Sequence, residues 1–283
     1  MKMKFSQRIA IGYYRTKIKT VALVSARKAA EMAFDLFCTP YKNSRTYKAP
    51  PIFSKSKQLI FELNKTQIYG WIWKPAQSNG KKVLIVHGFN SYSYKFEKYV
   101  LLLLGNGFEV LAFDAPAHGL SGGKRINALL YSEMILKIDK LYGSLYGIMA
   151  HSIGGLAASL AAEKMNSLQK LVLIAPATET NTAIDHFFKF IQLPDSLKSN
   201  FEEVLVDIAQ KPIAHFSVSR AIRQITANTL WLHDTEDKIC PFSDAVPVQQ
   251  MNLPHVRFHV TKGLGHSNIY KEQKVANTIV SFF

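Results

Sequence analysis

Short apolar runs alternate with helix-like segments through most of this 283-residue sequence. Continuous apolar runs of this kind are typical of parallel strands that are buried on both faces of a sheet. The runs are Lys82–His87, Phe108–Phe113, Leu145–Met149, Lys170–Ala175, Asn228–Asp234 and Val256–Val260. Helix-like segments separate them, so the pattern predicts an α/β fold with a mostly parallel central sheet flanked by helices. Active groups are then expected beyond the carboxyl ends of the strands.

One of these runs leads into the segment Ala150-His-Ser-Ile-Gly154, which a helix of small residues follows. Strand, sharp turn and helix form the context that a nucleophile elbow requires. A serine at the apex, here Ser152, takes a strained backbone conformation that lifts its hydroxyl clear of the sheet. Because strand and helix nearly touch there, the residues two before and two after the serine must be small. Gly154 meets that demand, and Ala150 still fits where the usual pattern has glycine.

An insertion interrupts the alternation of strands and helices. About fifty residues separate Pro176 from the run that follows it, and they include helix-like pieces at His186–Ile191 and Ser199–Gln210. The second piece begins with a capping-box pattern, Ser199 to Glu202. An insertion of this size at the carboxyl edge of the sheet predicts a helical lid over about residues 178–228. An ordinary pair of connecting helices is the alternative.

Positive charge is concentrated at the start of the chain. Residues 1–45 hold ten Lys/Arg against Glu31 and Asp35, which is +8 of the formal net charge of +15. The remainder is only moderately basic, so we predict no nucleic-acid partner. Helical spacing predicts one or two helices in this segment. We therefore divide the chain into a basic N-terminal helical segment and linker, residues 1–50, and an α/β domain, residues 51–283, which contains the insertion.

Two interpretations of the basic segment stay open. Its longest uncharged apolar stretch, Thr20 to Ala26, is too short to span a bilayer and makes a poor secretory signal. The segment either packs on the body of the protein, as a brace or subunit contact, or lies as a basic helix on an anionic membrane. Cys38 and Cys240 are far apart, so no disulfide framework or zinc site is expected. A reducing compartment, the cytoplasm, is the predicted location, with membrane association under the second interpretation.

A serine nucleophile needs a base, an acid that orients the base, and donors for the oxyanion. Candidates for the acid lie in His233–Pro241, and His266 in Gly263–Ser267 is the candidate base. Both segments follow predicted strands. The order Ser152, Asp237, His266 is the chain order of the α/β-hydrolases.

With these motifs, the chain resembles the α/β-hydrolases of the branch that holds serine aminopeptidases, monoacylglycerol lipases and small carboxylesterases. The resemblance covers roughly residues 57–283 and depends on five motifs in the right order. They are His87-Gly88-Phe89, Asp114-Ala-Pro-Ala-His-Gly-Leu-Ser121, Ala150-His-Ser-Ile-Gly154, Asp237-Lys-Ile-Cys-Pro241 and Gly265-His266.

The resemblance implies a role for each matching residue. Ser152 is the expected nucleophile and His266 the base, and Asp237 fits the family's acid position better than Asp234 or Glu236. The backbone N–H groups of Phe89 and Ile153 are the expected oxyanion hole. No cluster has metal-ligand spacing, so we expect neither a metal nor another cofactor. The substrate pocket is expected to include His87, His151, Phe187 and Phe188. His87 also matches a position that shapes loops, and packing against a loop is the alternative for His151.

These expectations describe a serine hydrolase that cleaves an ester, thioester or amide of a small-molecule acyl substrate through an acyl-enzyme. Phenylalanines in the insertion suit a medium or long acyl chain, but the same rings could simply pack the lid. The alternative is a non-catalytic protein with this fold that binds a small apolar ligand.

Overall fold

The computed structural model describes residues 5–41 and 48–283, with side chains from residue 8 onward. Its contacts group into two compact units. The helical unit contains the described residues up to Thr39 together with Glu179–Phe216. The sheet unit contains the described residues from Pro40 to Thr178 together with Ser217–Phe283.

The sheet unit is built on eight strands. They are β1 (Lys57–Leu63), β2 (Thr66–Trp73), β3 (Lys82–Val86), β4 (Glu109–Phe113), β5 (Gly147–His151), β6 (Lys170–Ile174), β7 (Asn228–Asp234) and β8 (Val256–Thr261). Their order in the sheet is β1-β2-β4-β3-β5-β6-β7-β8. The β1–β2 and β2–β4 pairs are antiparallel, and all other pairs are parallel. The six strands predicted as parallel therefore form one continuous parallel sheet, with the hairpin at one edge.

Helices cover both faces of this sheet. They are α3 (Glu97–Gly105), α4 (Ala128–Tyr142), α5 (Ile153–Ala162), α8 (Val218–Ala221), α9 (Val246–Gln250), α10 (Gly265–Asn268) and α11 (Gln273–Phe282). Helices α3 and α11 contact each other, as do α4, α5 and α8. Alternate side chains of the strands belong to an apolar cluster that includes residues of α3 and α11. In β3, Val83 and Ile85 belong to this cluster, whereas Leu84 is buried outside it. This period of two places a helical layer on each face.

The helical unit contains α1 (Phe5–Ala22), α2 (Ala26–Phe37), α6 (Thr180–Ile191) and α7 (Lys198–Ala209). Helix α1 contacts α2 and α6, and α2 contacts α7. The Nε–H of Arg15 donates to the carbonyl of Ile191 at the end of α6, at 2.8 Å. Arg27 and Asp207 form an ion pair of 2.7 Å between α2 and α7. The basic N-terminal helices therefore pack on the inserted helices.

Aromatic rings form the core between α2, α6 and α7. Phe201 is fully buried, and its ring centroid lies 5.3–6.0 Å from those of four neighbours. The neighbours are Phe34, Phe37, Phe187 and Phe188. The inserted phenylalanines at this point thus pack within the helical unit itself.

One local expectation differs from the structure. Helix α7 begins at Lys198 with Leu197 at its N-cap and no side-chain cap, so the capping box at Ser199 was wrong. A preceding short 3-10 helix, Asp195–Leu197, already starts the helical turn. At the end of the chain, a 3-10 turn (Ile269–Lys271) precedes α11. Glu272 between them is extended, and its side chain caps α11 by accepting from the N–H of Lys274.

The predicted domain organisation stays a prediction, as does the lid. Contacts group Glu179–Phe216 with the N-terminal helices, whereas α8 groups with the sheet unit through a hydrogen bond of 2.8 Å from Val218 N–H to the Thr178 carbonyl. Residues 42–47 of the predicted linker, as well as Lys2 and Lys4, lie outside the described residues. Within the described residues, no helix has the length and apolar character needed to cross a bilayer.

Candidate active site

Ser152 lies in a sharp turn between β5 and α5. Its backbone has φ 59° and ψ −127°, a combination that side-chain-bearing residues rarely adopt and that costs about 1–3 kcal/mol. Backbone hydrogen bonds hold the turn in place. The N–H of Ser152 donates to the carbonyl of Ile174 on β6 at 3.1 Å, and the Ser152 carbonyl accepts from Ala177 at 3.0 Å. The strained turn is therefore fastened to the neighbouring strand on both sides of the serine.

Close contacts around the turn require glycine. A Cβ added to Gly154 would lie 2.5 Å from the carbonyl oxygen of His87, and one on Gly155 would lie 2.7 Å from Cβ of Pro176. A Cβ on Gly88 would lie 2.8 Å from Nδ1 of His151. Real Cβ atoms do not approach other atoms so closely, so α5 can reach the end of β3 only without side chains at these points.

His266 lies between Ser152 and Asp237. Its Nε2 is 3.0 Å from the Ser152 hydroxyl oxygen, and its Nδ1 is 2.7 Å from Asp237 Oδ2. The other carboxylate oxygen of Asp237 accepts hydrogen bonds from the N–H groups of Ile239, at 2.8 Å, and Cys240, at 3.0 Å. Three residues from three different loops after strands thus form one hydrogen-bonded chain.

The carboxyl group of Asp237 is held in its charged form. Its side chain is fully buried, and burial by itself raises a carboxyl pKa. The hydrogen bond with His266 and the two backbone N–H donors outweigh burial, so the pKa of Asp237 lies below its usual value. A charged Asp237 can hold the ring of His266 with Nδ1 protonated, which leaves Nε2 free to take the proton of Ser152.

The loop after β3 carries one of the two expected oxyanion donors. The N–H groups of Phe89 and Ile153 have no hydrogen-bond partner among the described residues. Ile153 is the first residue of α5, where no preceding turn offers a carbonyl. An oxyanion requires free N–H donors of this kind, and the role of Phe89 and Ile153 stays a prediction.

Buried polar side chains hold this loop. Asp114 Oδ1 accepts from the N–H of Ser93 at 2.8 Å, and Asp114 Oδ2 accepts from that of Leu120 at 2.9 Å. His118 Nε2 accepts from the N–H of Asn90 at 3.1 Å. The same motif requires glycine at Gly119, because a Cβ added there would lie 1.9 Å from Asp114 Oδ2. The Asp114–Ser121 motif therefore supports the loop after β3.

His87, predicted as a pocket residue, is buried and bonded to the backbone. Its Nε2 accepts from the N–H of Ala115 at 2.9 Å, and its Nδ1–H donates to the carbonyl of Gly88 at 2.8 Å. Burial lowers the pKa of His87 to about 4, so the ring is neutral near pH 7. The structure gives His87 a loop-holding role, the second of the two roles that the sequence suggested.

His151 supports the loop that carries the base. Its Nε2 lies 3.0 Å from the carbonyl oxygen of His266, and the two rings are 4.7 Å apart. Burial, followed by the nearby His266, lowers the pKa of His151 to about 3. Its Nδ1 is buried with no partner among the described residues. The pocket residues expected in the insertion, Phe187 and Phe188, belong to the aromatic core of the helical unit, and their role in a pocket stays a prediction.

Sequence reasoning missed the roles of two residues at the end of β7. Asp234 Oδ2 accepts from the hydroxyl of Thr261, at 2.7 Å, and from the N–H of Leu264, at 3.0 Å. Asp234 Oδ1 accepts from the N–H of Glu236 at 3.0 Å. Asp234 was an alternative acid by sequence, but among the described residues its carboxylate bonds with Glu236, Thr261 and Leu264 and so joins the loop of Asp237 to the loop of His266.

The second of these residues, His233, lies directly behind the acid. The indole N–H of Trp231 donates to His233 Nδ1 at 3.2 Å, and His233 Nε2–H donates to the Cys240 carbonyl at 2.8 Å. Its Nε2 is 3.7 Å from Asp237 Oδ2. The sequence contained a signal for both residues, because His233 and Asp234 are polar and end an otherwise apolar run. Polar side chains buried at such a position require hydrogen-bond partners.

Comparisons with known proteins find hydrolases among the proteins similar to this chain. The profile of the family described as "Serine aminopeptidase, S33" matches residues 77–211. A monoglyceride lipase of Homo sapiens is 27% identical over 128 residues, which are 42% of this chain and 42% of that protein. A serine hydrolase-like protein of Dictyostelium discoideum is 24% identical over 167 residues, 57% of this chain and 45% of that protein. The matches thus span less than half of the length of these two relatives.

A solved structure covers more of the chain. An esterase of Pyrococcus furiosus superposes with a TM-score of 0.64 and 20% identity, over 87% of this chain and 96% of that one. Together with the strand order, this match shows that the chain has the α/β-hydrolase fold. In sequence it is similar to serine hydrolases.

Proposed function

We propose that this protein hydrolyses a carboxylic ester of a small-molecule acyl substrate through an acyl-enzyme. The observation that carries the proposal is the contact of His266 with both Ser152, at 3.0 Å, and Asp237, at 2.7 Å. A thioester or an amide could react by the same steps.

The chemistry follows from the positions of these groups. Ser152 Oγ attacks the carbonyl carbon while its proton passes to His266 Nε2, and the charge of Asp237 stabilises the imidazolium. The N–H groups of Phe89 and Ile153 donate to the oxyanion. The intermediate collapses as His266 returns the proton to the leaving group. Water then attacks the acyl-enzyme with His266 again as base, which releases the acid and restores Ser152.

The relatives favour an ester over other acyl bonds. One carries the name of a lipase and one that of an esterase. The acyl chain length is not part of this proposal. Phe188, Phe201 and Phe216 are buried, and Phe188 and Phe201 contact other rings of the helical unit, so they are no longer an argument for a long acyl tail.

Labelling with a fluorophosphonate probe tests the proposal. The native protein is expected to react, and Ser152→Ala to lose the signal. Ser267→Ala is the matched control, because Ser267 is an exposed serine next to His266 and should react like the native protein. Hydrolysis of p-nitrophenyl esters of increasing chain length then measures the acyl preference.

A non-catalytic protein that binds a small apolar ligand is the second candidate. A folded native protein that reacts with no fluorophosphonate and hydrolyses no ester would favour it over the hydrolase. We further propose a cytoplasmic location and no nucleic-acid partner. Neither Cys38 nor Cys240 forms a disulfide, and both are buried, which suits a reducing compartment.

A further inference from the structure

Helix α1 has apolar side chains on its exposed face. Ile9 and Tyr13 are 58% and 59% exposed, and Leu23 and Val24, in the turn that follows the helix, are 87% and 91% exposed. Helical spacing aligns Ile9, Tyr13 and Lys17 in one stripe that continues into this turn. Ile18 is the one large apolar residue of α1, among its described side chains, that is fully buried. We call Leu23 and Val24 the tip.

Exposed apolar residues that cluster in this way mark a surface that another body covers. Two neighbouring aliphatic side chains that are almost completely exposed at a turn gain nothing from folding. Single exposed apolar residues elsewhere need no such explanation. The tip and the stripe of α1 are continuous, so one partner can cover both.

The charges around this surface select the partner. Between Phe5 and Ala22 the chain has four cations, Arg8, Arg15, Lys17 and Lys19, and no acidic residue. Lys28 adds an exposed cation just beyond the tip. A twofold contact between the exposed faces of two copies of α1 would bring cations together without an anion on either helix. An anionic surface with an apolar interior can attract the cations and also bury the apolar side chains of the tip.

We propose that the exposed face of α1 and the tip dock on an anionic lipid bilayer, with Leu23 and Val24 inserted among the acyl chains. The lysines lie at the level of the phosphates, and Lys17, which is 5.8 Å from the ring centre of Tyr13, keeps its charge at the interface. This inference goes beyond the proposed hydrolase activity and does not depend on it.

Vesicle flotation of the full-length protein tests the docking. Native protein should float with vesicles of phosphatidylcholine and phosphatidylglycerol and stay behind with phosphatidylcholine alone. Leu23→Ser/Val24→Ser should weaken binding at least about tenfold, because the two side chains then have little apolar surface to bury. Leu101→Ser/Leu141→Ser is the matched control, since both leucines are half-exposed in the sheet unit, and it should bind like the native protein.

A second arm tests the charges. Lys17→Gln, Lys19→Gln and Lys28→Gln together should weaken binding roughly fivefold for each charge removed, and added salt should mimic that loss. The control removes three exposed lysines of the sheet unit, Lys55, Lys57 and Lys74, and should bind like the native protein.

Three outcomes would overturn the proposal. Native protein that fails to float with anionic vesicles excludes docking. Equal binding by the tip variant shows that Leu23 and Val24 do not insert. A concentration-dependent dimer that the tip variant abolishes, without vesicle binding, would assign the surface to a second copy. Activity on a soluble ester separates this test from the proposed function, because the tip variant should retain it.

Discussion

Asp234 accepts a hydrogen bond from the backbone N–H of Leu264 at 3.0 Å, across the gap between the loops that carry the acid and the base. The same carboxylate binds Glu236 in the first loop and Thr261 at the start of the second. Burial by itself would raise the pKa of Asp234, but these hydrogen bonds outweigh it, and the pKa lies below its ordinary value. One buried charge therefore fixes the distance between Asp237 and His266.

We expect Asp234→Asn to lower kcat more than tenfold with little change in KM. One oxygen of the carboxylate is replaced by an NH₂ group, which cannot accept hydrogen bonds. One of the two loops therefore loses its hydrogen bonds to residue 234. The free energy of unfolding should fall by about 2 kcal/mol. Steady-state kinetics and urea unfolding measure both. Glu236→Gln, an exposed change in the same loop, should alter neither. An unchanged kcat in folded Asp234→Asn would mean that the loops hold their positions independently.

Replacement of Asp237 by asparagine should lower kcat by roughly 10⁴-fold, because the ring of His266 is then held in the wrong tautomer. The effect on stability depends on pH. The folded-state pKa of Asp237 is lowered below about 3.9, the value of an unfolded aspartate. Its contribution to stability is therefore present above about pH 4 and is lost as the pH falls through the folded-state pKa. Unfolding of both proteins at pH 7 and at acidic pH measures this difference, and a difference that does not shrink in acid would contradict the assignment.

Three buried histidines predict loss of stability in acid. Burial lowers the pKa of His87 and His118 to about 4 and that of His151 to about 3. Each is neutral when folded but takes up a proton near pH 6.5 when unfolded. Above about pH 6.5 these histidines are neutral in both states and do not affect stability. As the pH falls from there towards the folded-state pKa values, the free energy of unfolding decreases by up to about 1.4 kcal/mol per pH unit for each histidine. Thermal unfolding from pH 8 to pH 5 checks this, and a melting temperature that stays flat over that range would refute it.

Gly154→Ala should reduce both activity and stability. The added Cβ would lie 2.5 Å from the His87 carbonyl, so either α5 or the loop after β3 must shift, and Ser152 moves with it. Gly12→Ala is the matched change. No atom lies within 4 Å of a Cβ at Gly12, and alanine in a helix is favoured over glycine by about 1 kcal/mol. This control should leave activity unchanged and raise the melting temperature slightly. Equal behaviour of the two variants would show that the turn tolerates a side chain.

Phe201→Ala should destabilise the helical unit by about 3–5 kcal/mol, because it leaves a cavity among four rings. Phe190→Ala is the control, since Phe190 is more than half exposed and should cost little. Limited proteolysis within Glu179–Phe216 reports the change. Equal cleavage of both variants would mean that the aromatic core does not hold this unit together.

Local patterns in the sequence were sufficient for the sheet and the turn at Ser152. Continuous apolar runs, and small residues around a serine, depend on neighbours a few positions away, so the six parallel strands and the elbow were predictable. The prediction of the N-terminal cap of α7 was wrong, because it also used only a local pattern. In the structure a preceding 3-10 helix starts the helical turn instead.

Tertiary structure decided what depends on residues far apart in the chain. The residue types alone do not distinguish Asp234, Glu236 and Asp237, and the sequence preferred Asp237 only by its resemblance to a family motif. In the folded chain Asp237 contacts His266, which lies 29 positions later. Arg27 meets Asp207 from 180 residues away, which is why the sequence left open what the N-terminal helices pack on. Periodicity determines which residues share a face; the folded chain determines which face is covered, and it leaves Leu23 and Val24 exposed.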